Sequence, residues 1–393
     1  MSQQRISHSG DLKRLRDEGY DVGLQAGHVL VRDVPYLNAA KQIGRGVLVS
    51  KLELAGDTTA KPKDHVAMFV GEHPCTTEGL PIPGIKHSSN RQQLDENLWV
   101  DHMFSTKPTH GRGYADYHDK MTTYVRCISD PARAHEPDVT AQTYPAIEAC
   151  EEESPFHYWD TASSRAEIVA ISRKLEIGSV AIVGTGGTGS YVLDFVAKTP
   201  VKTIHIFDGD TFSQHNAFRA PGAASLEQLQ AKPQKVAYLE GVYSKLHRGI
   251  LAHDLFMDAE SVDALKECDF VFVCMDQNAT KAVVVERLLG WGVPFIDVGM
   301  GIEKGDDALL GLLRTTTCTA AKHDHVAKRI AIQPVDHVDE YDRNIQVCEL
   351  NALNAALAVI RWKKYVGFYH DQQQEHNSVF VLSQNEMINE DLP

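Results

Sequence analysis

SVAIVGTGGTGSYVLDFVAK, residues 179–198, decides the fold of this chain of 393 residues. The stretch begins with an apolar run that has the length of a buried strand, and its last nine residues have the apolar spacing of a helix. Between them lies a glycine-rich loop with Gly184, Gly186, Gly187 and Gly189. Such glycines let a phosphate approach the backbone, and the helix start then offers free N–H groups to the anion. The alternative is a tight strand–helix turn that holds no ligand.

Apolar runs continue to alternate with helical patterns after this stretch. Strands are predicted at 179–184, 203–208, 269–276 and 294–299, and helices at 190–198, 233–246, 279–290 and 349–366. Buried strands separated by helices are typical of a parallel sheet that carries helices on both faces. The second half of the chain is therefore predicted to be an α/β domain with a doubly wound sheet.

The first part of the chain has a different pattern. Strand-like runs separated by turn residues lie at 28–34, 46–54 and 65–71, which predicts a strand-rich or α+β domain. An acidic and turn-rich stretch around residues 148–165 marks the boundary between the two patterns. We predict an N-terminal recognition or accessory domain over residues 1–150 and the α/β domain over residues 160–393.

Composition narrows the classes of partner and location. Acidic residues outnumber basic residues, 53 to 39, and a chain of net negative charge binds nucleic acid poorly. No apolar run approaches the roughly 18–20 residues that span a bilayer, and residues 1–20 lack the apolar core of a secretory signal. The cysteines contain no CxxC pair, so the sequence gives no case for structural zinc. We expect a cytoplasmic protein without nucleic-acid or membrane partners.

Two carboxylates close the second predicted strand of the α/β domain. Asp208 and Asp210 lie about twenty residues after the glycine loop. A carboxylate at this position can accept hydrogen bonds from ribose hydroxyls. At this point an NAD-dependent dehydrogenase fits as well as an ATP-using enzyme.

The residues that follow distinguish the two chemistries. Asn216 and Arg219 lie in the next loop, Lys235 opens a helix, and Asp276 ends a later strand. A hydride-transferring enzyme has no need for these groups beside the phosphates. Attack of a carboxylate on the α-phosphate builds up negative charge, which cations stabilise while magnesium bridges phosphate and a carboxylate. The pattern favours an enzyme that adenylates a carboxylate.

Four motifs in this order and spacing resemble the ThiF/MoeB/ubiquitin-activating enzyme superfamily, namely GTGGTGS, DGDTFSQHNAFR, PQKVA and CMDQNATK. The resemblance covers about residues 163–365 and implies a ThiF-type Rossmann-like domain that binds ATP and Mg²⁺. It implies that the glycine loop, Asp208 and Asp210 hold ATP. It assigns phosphate-handling and catalytic roles to Asn216, Arg219 and Lys235, and a magnesium-linked role to Asp276.

The resemblance also implies a homodimer. In the family, an upstream arginine reaches the ATP of a dimer partner, and SSRAEI (163–168) resembles that segment. Arg165 is the matching residue and would be part of the ATP site. The helix predicted at 349–366 is a candidate for packing or for the dimer surface.

The chain departs from the family in two places. Ala220 stands where the family usually has glutamine, and the two CxxC pairs of the sulfur-carrier enzymes are missing. The departures point toward activators without zinc, among them bacterial ubiquitin-like conjugation systems. The resemblance then implies a ubiquitin-like protein as substrate and a conjugating-enzyme-like protein as a further partner. The N-terminal domain would recognise one of them.

A cysteine that accepts the acyl group as a thioester is the second chemical feature implied by the resemblance. RTTTCTAAKHD (314–324) is similar to the corresponding family segment, with Cys318 followed by Thr-Ala-Ala and by nearby cations. We predict that Cys318 lies on an accessible crossover segment, because a thiolate nucleophile needs access and neighbouring positive charge. The alternative is an inert cysteine. Cys274 is predicted to be a core residue of a buried strand.

Three other functions remain alternatives to the activation of a ubiquitin-like protein. The first is a ThiF-type enzyme that adenylates a small molecule or a peptide without forming a thioester. The second is a non-catalytic scaffold, which the presence of Lys235 and Asp276 disfavours. The third is a dinucleotide oxidoreductase, which would bind NAD and show no pyrophosphate chemistry.

Overall fold

The computed structural model of the protein describes residues 2–108, 113–149, 151, 154–276, 278–330 and 345–392. The chain forms two units, Met1–Glu153 with Tyr158–Arg165, and Ser154–His157 with Ala166–Pro393. None of the helices in these described stretches has the length and apolar character needed to cross a membrane.

The first unit combines helices with antiparallel strands. Its helices are α1 (Ser2–His8), α2 (Gly10–Asp17), α3 (Tyr117–His135) and α4 (Thr161–Arg165). Its strands are β1 (Asp21–Gln25), β2 (His28–Leu37), β3 (Ile43–Lys51), β4 (Leu54–Ala55), β5 (Thr58–Thr59), β6 (Val66–Val70), β7 (Lys86–Ser88), β8 (Gln92–Asp95), β9 (Leu98–Val100) and β10 (His102–Ser105). The unit is therefore α+β, and the predicted strand-rich character is confirmed.

One antiparallel sheet organises this unit. Its strand order within the described residues is β1-β2-β3-β6-β10-β7. Helix α3 begins after Asp116, whose side chain accepts a hydrogen bond from the backbone N–H of Asp119 and so caps the helix start. Met121 and Ile128 of α3 are fully buried in the same cluster as Phe69 of the sheet. Burial of such side chains, at roughly 1.5–3 kcal/mol each, holds helix and sheet together.

The second unit begins with two short helical segments and continues as an α/β fold. Its helices are α5 (Val169–Ser172), α6 (Gly187–Val196), α7 (Gln214–Ala217), α8 (Leu226–Ala231), α9 (Lys235–Tyr243), α10 (Asn278–Trp291), α11 (Val326–Arg329) and α12 (Cys348–Tyr365). Its strands are β11 (Ser179–Val183), β12 (Thr203–Phe207), β13 (Ile250–His253), β14 (Phe270–Val273), β15 (Phe295–Lys304), β16 (Leu309–Cys318), β17 (Asn377–Val381) and β18 (Glu386–Glu390). Short 3₁₀ helices lie at Arg173–Leu175 and Ser261–Leu265.

The sheet of this unit has a parallel half and an antiparallel half. The strand order is β13-β12-β11-β14-β15-β16-β17-β18 in the described residues, and the first five strands run parallel. Alternate residues of β11 face opposite cores: Val180 and Ile182 pack with α6, α9 and α12, whereas Ala181 and Val183 pack with α10. Helices cover both faces, so the predicted doubly wound, Rossmann-like sheet is confirmed.

The antiparallel half extends the sheet beyond the predicted strands. Strand β15 runs on to Lys304 and turns back through β16, which pairs with β17 and then β18. The expectation that Cys318 lies on an accessible crossover segment is wrong, because Cys318 is the last residue of β16 and is buried. Since β16 runs against β15, Cys318 pairs with Phe295, the first residue of β15.

Candidate functional site

Parallel strands bring the predicted site residues to one edge of the sheet. Val183, the last residue of β11, pairs in register with Phe207 on one side and Val273 on the other, which are the last residues of β12 and β14. The loops after these strands therefore meet at the carboxyl edge, where ligands bind in open α/β sheets. Within the second unit the structure brings together the glycine loop, Asp208, Asp210, Asn216, Arg219, Lys235 and Asp276, as described below.

The glycine loop connects β11 to α6 with little space for side chains except at one position. Gly184 has φ +88°, and a Cβ there would lie 2.8 Å from the carbonyl oxygen of Cys274. A Cβ on Gly189 would collide with the carbonyl oxygen of Gly184. At Gly186, in contrast, a Cβ would meet no described atom within 4 Å beyond its immediate chain neighbours. The open space at Gly186, beside the start of α6, is where an anion can approach the backbone.

Asp208 holds the glycine loop in place. One carboxylate oxygen accepts hydrogen bonds from the backbone N–H of Thr185 at 2.7 Å and from its hydroxyl at 3.1 Å. The other oxygen accepts from the backbone N–H of Asp210 at 2.9 Å and lies 3.5 Å from the ammonium of Lys235. Both oxygens are thus engaged within the protein. The side chain of Asp210 is 55% exposed and leaves surface for a ribose hydroxyl.

Lys235 lies between the two carboxylates. Its ammonium is 2.5 Å from a carboxylate oxygen of Asp210, and its side chain is only 9% exposed. Its backbone N–H donates to the carbonyl of Asp210 at 2.8 Å, which fixes the start of α9 against the loop. A buried lysine in a fixed position is a preorganised positive charge for an anionic ligand.

Asn216 and Arg219 carry donor groups without partners among the described residues. Asn216 is 3% exposed; its side-chain oxygen accepts from the N–H of Ser213, whereas its amide nitrogen has no hydrogen-bond partner there. The Nε atom of Arg219 is likewise buried without one. Burial lowers the pKa of Arg219, and the carboxylates of Asp276 and Asp210 oppose that effect. Such unsatisfied donors suit the oxygens of an incoming phosphate.

Asp276 lies three residues beyond the end of β14 and is exposed. No group of three or more His, Cys, Asp or Glu side chains is placed to hold a metal ion in the described parts of the chain. A magnesium ion bound to nucleotide keeps most of its water and phosphate ligands and needs only one or two protein carboxylates. The single exposed carboxylate of Asp276 fits that requirement.

His215 also lies in this cluster, although the sequence pattern does not single it out. It precedes Asn216 in α7. Burial lowers its pKa, the cations Arg219 and Lys235 lower it further, and Asp210 opposes them. A neutral imidazole therefore belongs to this cluster. Its signal in the sequence is its place directly before Asn216 in the motif DGDTFSQHNAFR.

Arg165 is in the first unit, at the end of α4. Its guanidinium lies over the ring of Tyr144, 5.7 Å from the ring centroid. This cation–π contact positions the side chain within its own unit. The predicted role of Arg165 in a partner's ATP site stays a prediction.

The cysteines occupy different environments in the second unit. Burial raises the pKa of the Cys318 thiol to about 12, and the residue lines a cavity of about 310 Å³ beside the end of α10. Cys348 is the first residue of α12 and is half-buried, with its sulfur 2.8 Å from the hydroxyl of Tyr191 in α6. One turn further along α12, Asn351 accepts a hydrogen bond from Thr188 at the start of α6. Cys348 therefore lies on the glycine-loop side of the sheet.

Comparison with protein families gives one match for each part of the chain. A model described as a domain of unknown function, DUF6791, matches residues 10–161. The ThiF family model matches residues 165–351. Among curated proteins, the chain is similar to the adenylyltransferase and sulfurtransferase uba4 of Emericella nidulans, with 29% identity over 125 residues. This match covers 31% of the chain and only 26% of that relative's length.

Solved structures with a similar arrangement include PaaA and E. coli MccB. PaaA superimposes with a TM-score of 0.45 and 14% identity, covering 59% of this chain and 71% of PaaA. The complex of E. coli MccB with ATP superimposes with a TM-score of 0.45 and 17% identity, covering 59% of this chain and 69% of MccB.

Proposed function

Since residues 165–351 belong to the ThiF family, we propose that the protein uses ATP to adenylate a carboxylate, the C-terminus of a ubiquitin-like protein. The observation that carries the proposal is the buried Lys235, held between Asp208 and Asp210 beside the glycine loop. The unsatisfied donors of Asn216 and Arg219 add to it. Together they provide positively charged groups and hydrogen-bond donors for the oxygens of a triphosphate.

The proposed reaction is an in-line displacement at the α-phosphorus of ATP. A carboxylate oxygen forms a bond to the α-phosphorus, and the bond to the bridging oxygen breaks as pyrophosphate leaves with the electron pair. Negative charge grows on the transferring and leaving groups, so positioned cations lower the barrier. Lys235 and Arg219 supply these cations, and the N-terminus of α6 supplies backbone donors. The opposing charge of Asp210 keeps Lys235 in place before ATP binds.

Asp276 is the residue that would hold magnesium. A magnesium ion held there would neutralise negative charge on the phosphates. Asp276 lies close enough to Arg219 to affect the pKa of its guanidinium, so a cation and a metal-binding carboxylate serve the same phosphate region.

The ubiquitin-like substrate is proposed from the four motifs and from the absence of CxxC pairs. The N-terminal domain, over residues 1–150, would recognise this carrier or a conjugating-enzyme-like partner, and the adenylation domain would occupy residues 160–393. We propose a homodimer in which Arg165 contributes to the partner's ATP site. The role proposed for Lys235 does not depend on any of these assignments.

ATP–pyrophosphate exchange tests the central proposal. Purified protein is incubated with ATP, labelled pyrophosphate and candidate ubiquitin-like proteins, and the label in ATP is measured. We expect exchange that depends on a carrier with a free C-terminal carboxylate and that is lost when this carboxylate is amidated. NAD binding without exchange would instead support an oxidoreductase, and exchange with small carboxylic acids or peptides alone would shift the substrate class.

A thioester step needs a thiol near the acyl adenylate, and the geometry favours Cys348 over Cys318. Cys318 is buried at the first pair of the β15–β16 ladder, whereas Cys348 is half-buried beside α6. The burial of Cys318 also favours the alternative in which the acyl group passes directly to an external acceptor. A raised thiol pKa leaves little thiolate for attack at neutral pH.

A non-reducing gel beside the exchange assay separates these outcomes. We expect a reducible adduct with the carrier that persists in Cys318→Ala and disappears in Cys348→Ala, while both variants keep exchange. Loss of the adduct only in Cys318→Ala would restore the assignment made from the sequence. No adduct from the unmodified protein, despite exchange, would indicate direct transfer.

A further inference from the structure

Asp297 is a fully buried carboxylate that binds two cations from different elements. It lies in β15, and its residue exposure is 0%. One oxygen is 2.9 Å from the ammonium of Lys281 in the first turn of α10, and the other is 2.5 Å from the guanidinium of Arg314 in β16. A buried carboxylate without a cation is strongly destabilising, so the stability of the fold depends on both cations staying in contact with Asp297.

The three charges lie next to the end of β14, from which the chain continues to Asp276 in the proposed phosphate site. Asp297 is paired in register with Val273, the last residue of β14, and the loop that follows carries Asp276. Cys274 links the two places. Its carbonyl packs against Gly184 of the glycine loop, and burial raises the pKa of its thiol with a further contribution from Asp297. Residues 274–276 thus begin beside the glycine loop, and the Lys281–Asp297 pair lies at the first turn of the helix that follows them.

We propose that Asp297 is a positioning residue for adenylation, an assignment that rests on the proposed function. Its ion pair with Lys281 ties the start of α10 to β15, and its ion pair with Arg314 ties β16 to the same point. The loop that carries Asp276 is anchored at one end by β14 and at the other by this ion pair. Asp297 acts through Lys281 and contacts neither nucleotide nor carrier.

Lys281 can affect the position of Asp276 because the two residues are close in sequence. Lys281 is five positions after Asp276, and helix α10 begins at Asn278 between them. A shift of the first turn of α10 therefore moves the Asp276 carboxylate relative to Arg219. Misplacement of a positioned group by about 1 Å lowers a catalysed rate by about 100-fold.

A second buried ion network supplies a matched control. Arg361 of α12 contacts Asp371 and, at 3.6 Å, Glu375, at the end of α12 that lies away from Cys348. Asp371→Asn removes a carboxylate from a buried network without touching the β14–α10 loop. It should lower the melting temperature and leave exchange kinetics unchanged.

The experiment compares Asp297→Asn with Asp371→Asn in the full chain by hydrogen exchange, melting temperature and pyrophosphate exchange. For Asp297→Asn we expect faster amide exchange at residues 274–276 and 278–281 and a kcat for pyrophosphate exchange lowered by about 100-fold. The KM for the carrier should change less than about threefold, because uniform binding is untouched. For Asp371→Asn we expect neither effect.

Unchanged amide exchange in that loop would overturn the proposal, as would equal kinetic losses in both variants. If Asp297→Asn does not fold, Lys281→Met and Lys281→Arg take its place: the methionine variant should show the loop and kcat effects, and the arginine variant should restore both. The hydrogen-exchange result stands even if no carrier supports adenylation, so failure of the proposed function is distinguishable from failure of this inference.

Discussion

Both units bury lysines, and a comparison of Lys120 with Lys235 shows how a lysine that stabilises the fold differs from one placed to bind a ligand. Lys120 of the first unit is 1% exposed and pairs with one carboxylate, Asp64, at 3.1 Å. Lys235 of the second unit is 9% exposed on its side chain and pairs with two, Asp208 and Asp210. The numbers of partners alone would suggest that Lys235 is the more completely satisfied group.

The polar groups around each lysine lead to the opposite conclusion. Near Lys120, the hydroxyl of Tyr117 donates to the carbonyl of Lys51 at 2.7 Å and accepts from the N–H of Glu53, so the polar groups pair with the backbone. Near Lys235, Asn216 and Arg219 retain donors without a partner in the described chain. A polar cluster that is closed on itself stabilises a fold, whereas one with open donors of matching charge is arranged for a ligand.

The largest expected effect tests this contrast directly. Lys235→Ala should raise the free-energy barrier of pyrophosphate exchange by about 3–5 kcal/mol, because the transferring phosphate loses a preorganised positive charge. Lys120→Ala should lower the midpoint of urea unfolding and leave exchange per folded molecule unchanged. Exchange at the unmodified rate in Lys235→Ala would contradict the assignment.

The glycine loop offers a sharper pair of variants. Gly186→Ala adds a methyl group to open space, so the fold should remain intact. Because that methyl group would occupy the space through which a phosphate approaches the backbone, the affinity for ATP should fall by more than about tenfold. Gly189→Ala collides with the loop's own backbone and should lower the melting temperature as well. Calorimetric titration with ATP and thermal unfolding separate the two. Full ATP affinity in Gly186→Ala would place the phosphates elsewhere.

Arg165 tests whether the first unit contributes to the site of a second chain. Arg165→Ala and Asp276→Ala should each be inactive alone, and a mixture refolded together should regain about a quarter of the original exchange activity, since half the dimers are mixed and each holds one intact site. Light scattering checks the dimer. A monomer, or a mixture that stays inactive, would refute the shared site.

The smallest effect concerns pH and compares buried with exposed histidines. His247 is fully buried; its Nε2 donates to the carbonyl of Val201 and its Nδ1 accepts from the N–H of Gly249, an arrangement that requires the neutral ring. Burial lowers its pKa below the ordinary 6.5. The unfolded chain thus binds the extra proton first, so this contribution to stability is complete above about pH 6.5 and is lost as pH falls below it.

Urea unfolding at pH 7.5 and pH 5.5 measures this contribution. His247→Gln should show a smaller loss of unfolding free energy on acidification than the unmodified protein. His323→Gln, at an exposed position, should show the unmodified loss. If the free energy of unfolding depends equally on pH in all three proteins, His247 does not contribute to the pH dependence of stability.

Four of the five parallel strands could be predicted from the sequence because they are short apolar runs between helices and glycines, whereas β13 (ILAH) was not predicted. Strand β18 could not, since EMINE has only two apolar residues in five, and β17 (NSVFV) lies after the strand–helix alternation on which the prediction rested. Cys318 was misplaced because sequence order after β15 does not reveal that the chain turns back antiparallel. Asp297 carried a visible signal, an acidic residue inside the buried strand PFIDVG, but its two cations come from distant positions.

The hydrogen bonds from Thr185 to Asp208 have a thermodynamic consequence for the arrival of ATP. These bonds order the loop before any ligand is present, so nucleotide binding incurs little further loss of backbone conformational entropy. Association should then be governed by diffusion and electrostatic attraction and not by a slow folding of the loop around phosphate. The matching calorimetric signature is a small heat-capacity change, since little additional apolar surface is buried when the nucleotide settles.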